Sequence, residues 1–171
     1  MSRTGSDKML IGIVSGIILI VIIALFVVSR RPQPEFQSQD TPESVVHNYL
    51  LALQLGNYER AYSLLSPSLA YPANTNEFYD TLAQEPWRFT VSDNYSQVVE
   101  SSEPVSDNSV AVVVREIYTT NSLFAGNDYS ELFRMRVEND GNGWRLVSGE
   151  RYWSDCWGER DKCEDGVPTV R

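Results

Sequence analysis

Between Lys8 and Arg30 the chain carries no charged side chain, and residues 9–28 read MLIGIVSGIILIVIIALFVV. A soluble fold of this length has too little interior to bury such a helix on every side. At about 1.5 Å per residue the run reaches about 30 Å, the depth of a bilayer's hydrocarbon layer, so a membrane-spanning helix contacting lipid is predicted. A secretory signal is the competing reading. Signal cores run about 7 to 15 residues and end in small side chains, whereas this run continues through Leu25, Phe26, Val27 and Val28, so an uncleaved single-pass anchor is expected. Gly12 and Gly16 form a G-x-x-x-G pair with Ser15 beside it, a spacing that lets two helices approach closely. Simple tolerance of glycine in membrane helices is the favoured reading of the pair, with a helix-packing face as the alternative.

Positive charge near the span does not fix its orientation, because Arg3 and Lys8 precede it and Arg30 and Arg31 follow it. Cys156 and Cys163, the chain's two cysteines, are spaced for a local bridge, which suits an oxidising compartment. Residues 1–8 are therefore expected in the cytoplasm and the C-terminal domain outside it. Two free thiols that never meet are the alternative.

The remaining chain separates into a tether, a domain and a tail. Residues 29–41, SRRPQPEFQSQDT, are polar, contain Pro32 and Pro34 and show no apolar period, as in an extended linker. Residues 42–155 have the length of one domain with one core, and residues 156–171 read as an acidic tail holding the local bridge. Residues 1–31 carry four Lys/Arg and one acid, a charge of +3; residues 32–171 carry ten and twenty-two, a charge of −12. Binding of nucleic acid requires clustered cations on the domain, and none are present, so that class is excluded.

Helix punctuation is clear. Thr41 is a predicted N-cap with Pro42 in the first helical position, Val46, Tyr49, Leu50 and Leu53 on one face, and Gly56 as the stop. Asn57 caps a second helix that buries Ala61, Tyr62 and Leu65 before Pro67. A third helix is expected over residues 75–84, with Phe78 and Leu82 at i, i+4 and Pro86 beyond its end. From Trp87 the period becomes two: Trp87, Phe89 and Val91 predict a strand that resumes near residues 98–100 after a kink at Asp93 and Asn94. Further strands are predicted at residues 109–119, 130–138 and 143–152, the last two joined by the hairpin turn NDGNG. Three helices followed by about four antiparallel strands define an α+β fold.

The string TPESVVHNYLLALQLGNYERAYSLLSP, residues 41–67, resembles the opening of nuclear transport factor 2-like domains, also called ketosteroid isomerase-like or SnoaL-like. GNGWRLVSGERYW, residues 141–153, is similar to that family's last hairpin. The resemblance implies a strongly curved sheet wrapped around the helices as a cone-shaped α+β barrel, with a pocket at its open end. Family members include small-molecule binders, isomerases or dehydratases, and dimerisation domains, so the resemblance does not choose among activities.

No catalytic constellation is apparent. His47, the single histidine, shares a helix face with Leu51 and Gln54, away from the apolar stripe, and is expected to be solvated. Asp80, Glu116 and Glu131 are nominal candidates for a buried general acid or base, and spacing gives none of them a partner. There is no nucleophile elbow, no zinc-ligand spacing and no calcium loop in the run containing Asp155, Glu159, Asp161, Glu164 and Asp165, so neither cofactor nor metal is expected. Tyr49, Tyr62, Trp87, Phe89, Phe133 and Trp144, together with Tyr79, Tyr152 and Trp153, are candidates to line a ligand pocket; ordinary core packing is the competing reading. Asn94-Tyr95-Ser96 matches the N-glycosylation acceptor pattern. The sequence thus predicts an anchored, non-enzymatic extracytoplasmic module that binds a protein partner, a second copy of itself or a small ligand, with an isomerase or dehydratase as the alternative.

Overall fold

A computed structural model describes residues 5–29, 35–91, 95–119 and 129–158. The chain divides into two compact units, residues 1–35 and 36–171. The first contains helix α1 (Gly5–Ser29). Its window Met9–Phe26 is long and apolar enough to cross a membrane, and none of it is buried. An exposed N-terminal apolar helix is consistent with a membrane anchor or a signal sequence. Gly12 and Gly16 open onto free space, with no neighbouring atom within 4 Å of an added Cβ.

The second unit begins with α2 (Pro42–Gln54), where Thr41 accepts a hydrogen bond from the Ser44 amide at 3.2 Å and Ser44 returns one from Thr41, a closed capping box. Gly56, at φ 66°, takes the left-handed conformation that ends the helix. Asn57 caps α3 (Tyr58–Ser63), and Asn74 caps α4 (Thr75–Gln84), both through side-chain oxygens.

Four strands follow: β1 (Tyr95–Ser106), β2 (Ser109–Tyr118), β3 (Tyr129–Asn139) and β4 (Trp144–Gly149). They form one antiparallel sheet in the order β1-β2-β3-β4. The NDGNG hairpin turn is present, with Gly141 and Gly143 at positive φ and the Asn139 and Asp140 side chains accepting from backbone amides two residues on.

The sheet is open, which corrects the expectation of a cone-shaped barrel. Its β4 edge is covered: the Ser66 amide donates to the Leu146 carbonyl at 2.8 Å and the Leu146 amide to the Leu64 carbonyl at 2.9 Å. At the other edge β1 runs to Ser106, far beyond the predicted residue 100. Residues 101–108 are exposed throughout, so no burial period marked them as strand.

The strand predicted from Trp87 is instead a single helical turn, α5 (Pro86–Phe89). Proline in its first position favours helical φ, and Arg88 pairs back to Glu85 at 3.0 Å. The alternation was misleading because Phe89 is buried whereas Trp87 is 73% exposed.

The core joins α2, α3, α4 and the inner face of the sheet: Val45, Val46, Tyr49, Leu50 and Leu53 meet Val112, Val114, Phe133, Met135, Val137 and Leu146. Both ends of the domain extend further than expected. Before α2, the Asn48 amide side chain clasps the Gln37 backbone at 2.7 and 2.8 Å, and Phe36 packs on the core beneath the Arg60 guanidinium, 3.7 Å from its ring. Two further departures lie on α2: Leu51 is buried, and His47 is half-buried rather than solvated. After residue 155, Trp157 is fully buried among Phe78, Phe89 and Trp153, with ring centroids 5.4, 5.4 and 4.6 Å away. The start of the presumed tail is therefore part of the core.

Candidate functional site

In a strand, side chains two apart share a face, so Val112 and Val114 place Glu116 and Tyr118 on the inner face as well. The ladder sets Gln97 opposite Glu116 and Glu116 opposite Glu131; one row further out, Tyr95 faces Tyr118 and Tyr118 faces Tyr129. The inner face thus changes from aliphatic to polar along its length.

The chain after β4 closes over this polar end. Gly149 permits the close approach, because a Cβ there would lie 3.0 Å from the Met135 methyl and 3.1 Å from the Arg151 carbonyl. Tyr152 then adopts a left-handed φ of 55°, and its carbonyl accepts the Tyr49 hydroxyl at 2.7 Å. These constraints turn the Tyr152 phenol onto Glu116, where it donates to Oε1; Gln97 Nε2 donates to the same oxygen at 3.2 Å. Arg151 reaches Glu116 Oε2 at 2.6 Å and Glu131 Oε2 at 3.0 Å.

Glu116 is only 2% exposed, so its carboxylate depends on these partners in place of water. Burial raises the pKa of Tyr152, and its hydrogen bond to Glu116 and that carboxylate's charge add to the rise, so the phenol remains a donor at neutral pH. Burial alone pushes the Tyr49 phenol well above its ordinary value.

Two cavities share Tyr95 and Arg151. One of about 110 Å³ is lined by Tyr95, Glu116, Tyr118, Tyr129, Glu131 and Arg151. The other, about 290 Å³, lies between Trp87, Arg88, Thr90 and the Arg151-Tyr152-Trp153 segment. A third cavity, about 430 Å³, lies elsewhere, between Tyr62, Leu65, Pro67, Leu69, Pro72 and Arg145.

The candidate pocket aromatics are not gathered into one site. Tyr49, Phe89 and Phe133 are core, Trp144 is half-buried against the core, Trp87 borders the 290 Å³ cavity, and Tyr62 borders the distant one. Tyr79 is exposed on α4, edge-on to Tyr58 at 5.4 Å. Of the nominal carboxylates, Glu116 and Glu131 come together, whereas Asp80 is exposed on α4. Gln97, Arg151 and the three cavity tyrosines were not anticipated; cross-strand register is the signal that brings all but Arg151 together.

Among the described residues no cluster of three or more His, Cys, Asp or Glu is placed to hold a metal ion. Asp155 is exposed and pairs with Arg88 at 2.7 Å. Cys156 is half-buried, with Sγ 3.2 Å from the Ser154 hydroxyl. Cys163, Asn94, Glu159, Asp161, Glu164 and Asp165 lie outside the described residues, and with them the cysteine loop and the glycosylation pattern.

No family model matches the chain, and no curated protein does. Its structural neighbours include NTF2-like proteins. A SEC-C motif containing protein, RPA3114, from Rhodopseudomonas palustris is 16% identical, with 67% of this chain and 80% of that chain covered and a TM-score of 0.45. An NTF-2 like protein of unknown function from Shewanella oneidensis MR-1 is 12% identical, with 61% and 90% covered and a TM-score of 0.39. The beta subunit of benzoate 1,2-dioxygenase from Burkholderia mallei is 11% identical, with 71% and 99% covered and a TM-score of 0.41. Similarities this distant assign no activity to the chain.

Proposed function

We propose that this chain is a single-pass membrane protein whose NTF2-like domain works outside the cytoplasm as a non-enzymatic binding module. The observation that carries the choice of binding over catalysis is the state of Glu116. Its Oε1 accepts from Tyr152 and Gln97, while its Oε2 accepts no hydrogen bond but is ion-paired with Arg151 at 2.6 Å and shut off from solvent, so neither oxygen is open to a substrate proton. A general base needs a free lone pair within reach of the substrate proton.

The exposed apolar helix supports anchoring, and the Cys156 and Cys163 pair supports an oxidising compartment for the domain. The second reading is an isomerase or dehydratase that uses Glu116, favoured by the burial of that carboxylate beside a phenol donor.

Membranes prepared from cells expressing the full chain test the anchor. Carbonate washing should leave the protein in the pellet, and protease added to intact cells should degrade the domain. Recovery of a soluble form lacking the apolar helix would refute anchoring. For the chemistry, small ketones incubated with the protein in deuterated water should exchange their α-protons no faster than in buffer. Exchange that is lost in Glu116→Gln would replace the binding reading with the enzymatic one.

A further inference from the structure

We propose that the tyrosine-lined cavity at the polar end of the sheet binds a small organic cation, an alkylated ammonium group. Three tyrosines from three adjacent strands stand in one cross-strand row: Tyr95 pairs with Tyr118, and Tyr118 with Tyr129. The Tyr95 and Tyr118 rings are 5.1 Å apart and inclined at 47°, so they form two walls of a corner rather than a closed stack. The next row supplies Glu116 and Glu131.

Charge selects the ligand. Two carboxylates and one guanidinium line the cavity, and −2 plus +1 leaves a formal −1, which repels an anion and leaves a neutral ligand unmatched. Arg151 does not itself occupy the tyrosine corner: it binds both carboxylates, and its ring contacts, 5.9 Å each, go to Phe133 and Tyr152. Ring faces attract cations through their quadrupole, and methylated ammonium groups use this mode of recognition because they have few N–H groups to satisfy. A metal ion would require several donor oxygens around one point, and the described residues hold no such cluster.

Size narrows the choice further. At about 110 Å³ the cavity is the smaller of the two beside Arg151, the other being about 290 Å³, and this favours a compact head such as a nitrogen bearing methyl groups. The same group occurs free in solution and in choline lipid headgroups, and the test separates these two sources.

The full chain in maltoside micelles, titrated with tetramethylammonium chloride, should show saturable NMR shifts of the Tyr95, Tyr118 and Tyr129 rings. Potassium chloride and tetrabutylammonium chloride should not produce them. Tyr118→Leu and Tyr129→Leu should each weaken binding about fivefold or more. Because Tyr129 is 63% exposed, its variant keeps the test valid if Tyr118→Leu does not fold. The same shifts in phosphatidylcholine nanodiscs, absent from phosphatidylglycerol nanodiscs, would identify the lipid headgroup as the source; shifts that require the added salt would identify a free cation. Non-saturable shifts, equal shifts with potassium chloride, or unchanged affinity in a folded leucine variant would overturn the proposal.

Discussion

Along the inner face of the sheet, β2 and β3 pair without a bulge from Ser109 and Glu138 to Tyr118 and Tyr129, yet the two halves of that ladder are stabilised in different ways. Over one half, Val112, Val114, Phe133 and Met135 are covered by α2 and held by loss of water from apolar surface. Over the other, Glu116 and Glu131 are held by hydrogen bonds and by Arg151. The backbone ladder is the same in both, so the side chains and what closes over them decide which half is core and which is a site. The aliphatic half is most sensitive to loss of volume, and the polar half to loss of the charged group that its partners share.

The largest effect should come from the aliphatic half. Phe133 is 2% exposed, and Phe133→Ala should destabilise the domain by about 3–5 kcal/mol in urea unfolding, because the removed ring leaves a cavity that the sheet cannot collapse around. Glu116→Ala should cost less, about 2–3 kcal/mol, and would reverse the contrast between the halves if it cost more. It leaves Tyr152 and Gln97 without their acceptor. The Arg151 side chain is 37% exposed and can turn to water, which keeps the loss below that of a fully buried broken pair.

The same contrast explains what could be read from the sequence. The aliphatic half was legible because its residues announce themselves by period: the α2 stripe and its Thr41 cap, the Asn57 cap and the three strands from residue 109 onward all follow from local pattern and local chemistry. The site was only half legible. Glu116 and Glu131 were candidates, but their union depends on strand register, and Gln97 sits on a strand whose start was misplaced by the Trp87 alternation. Arg151 and Tyr152 fall at the end of a strand predicted to run to residue 152, whereas β4 stops at Gly149 and both residues enter through a tight turn that leaves no periodic trace. Trp157 was lost for the opposite reason: acidic neighbours made a core residue resemble the start of a tail.

A smaller effect isolates the hydrogen bond within the polar half. Tyr152→Phe should cost about 1 kcal/mol at neutral pH, since Glu116 keeps Gln97 and Arg151. The substitution should also change the alkaline limb. The folded-state pKa of Tyr152 is raised by burial and by Glu116, so the unfolded chain releases this proton first, near pH 10. The contribution is present in full below that value and is lost as pH rises through the folded pKa. Unfolding free energies measured from pH 8 to 11 should therefore fall less steeply in Tyr152→Phe than in wild type. They should still fall, because the Tyr49 phenol is raised by burial in the same direction.

The smallest effect separates the site from its support. Tyr129 stands on the same ladder as Phe133, four residues away and on the same face, but it is 63% exposed. Little apolar surface leaves water when it folds, so Tyr129→Leu should change stability by no more than about 0.5 kcal/mol in urea. Its neighbours Glu116 and Glu131 would retain Arg151, and the ladder from Ser109 to Tyr118 would stay paired. A ring that can be removed at little cost, beside a buried carboxylate that cannot, belongs to the cavity rather than to the core. A loss comparable to that of Phe133→Ala would instead make Tyr129 a packing residue and erase the boundary between the two halves of the face.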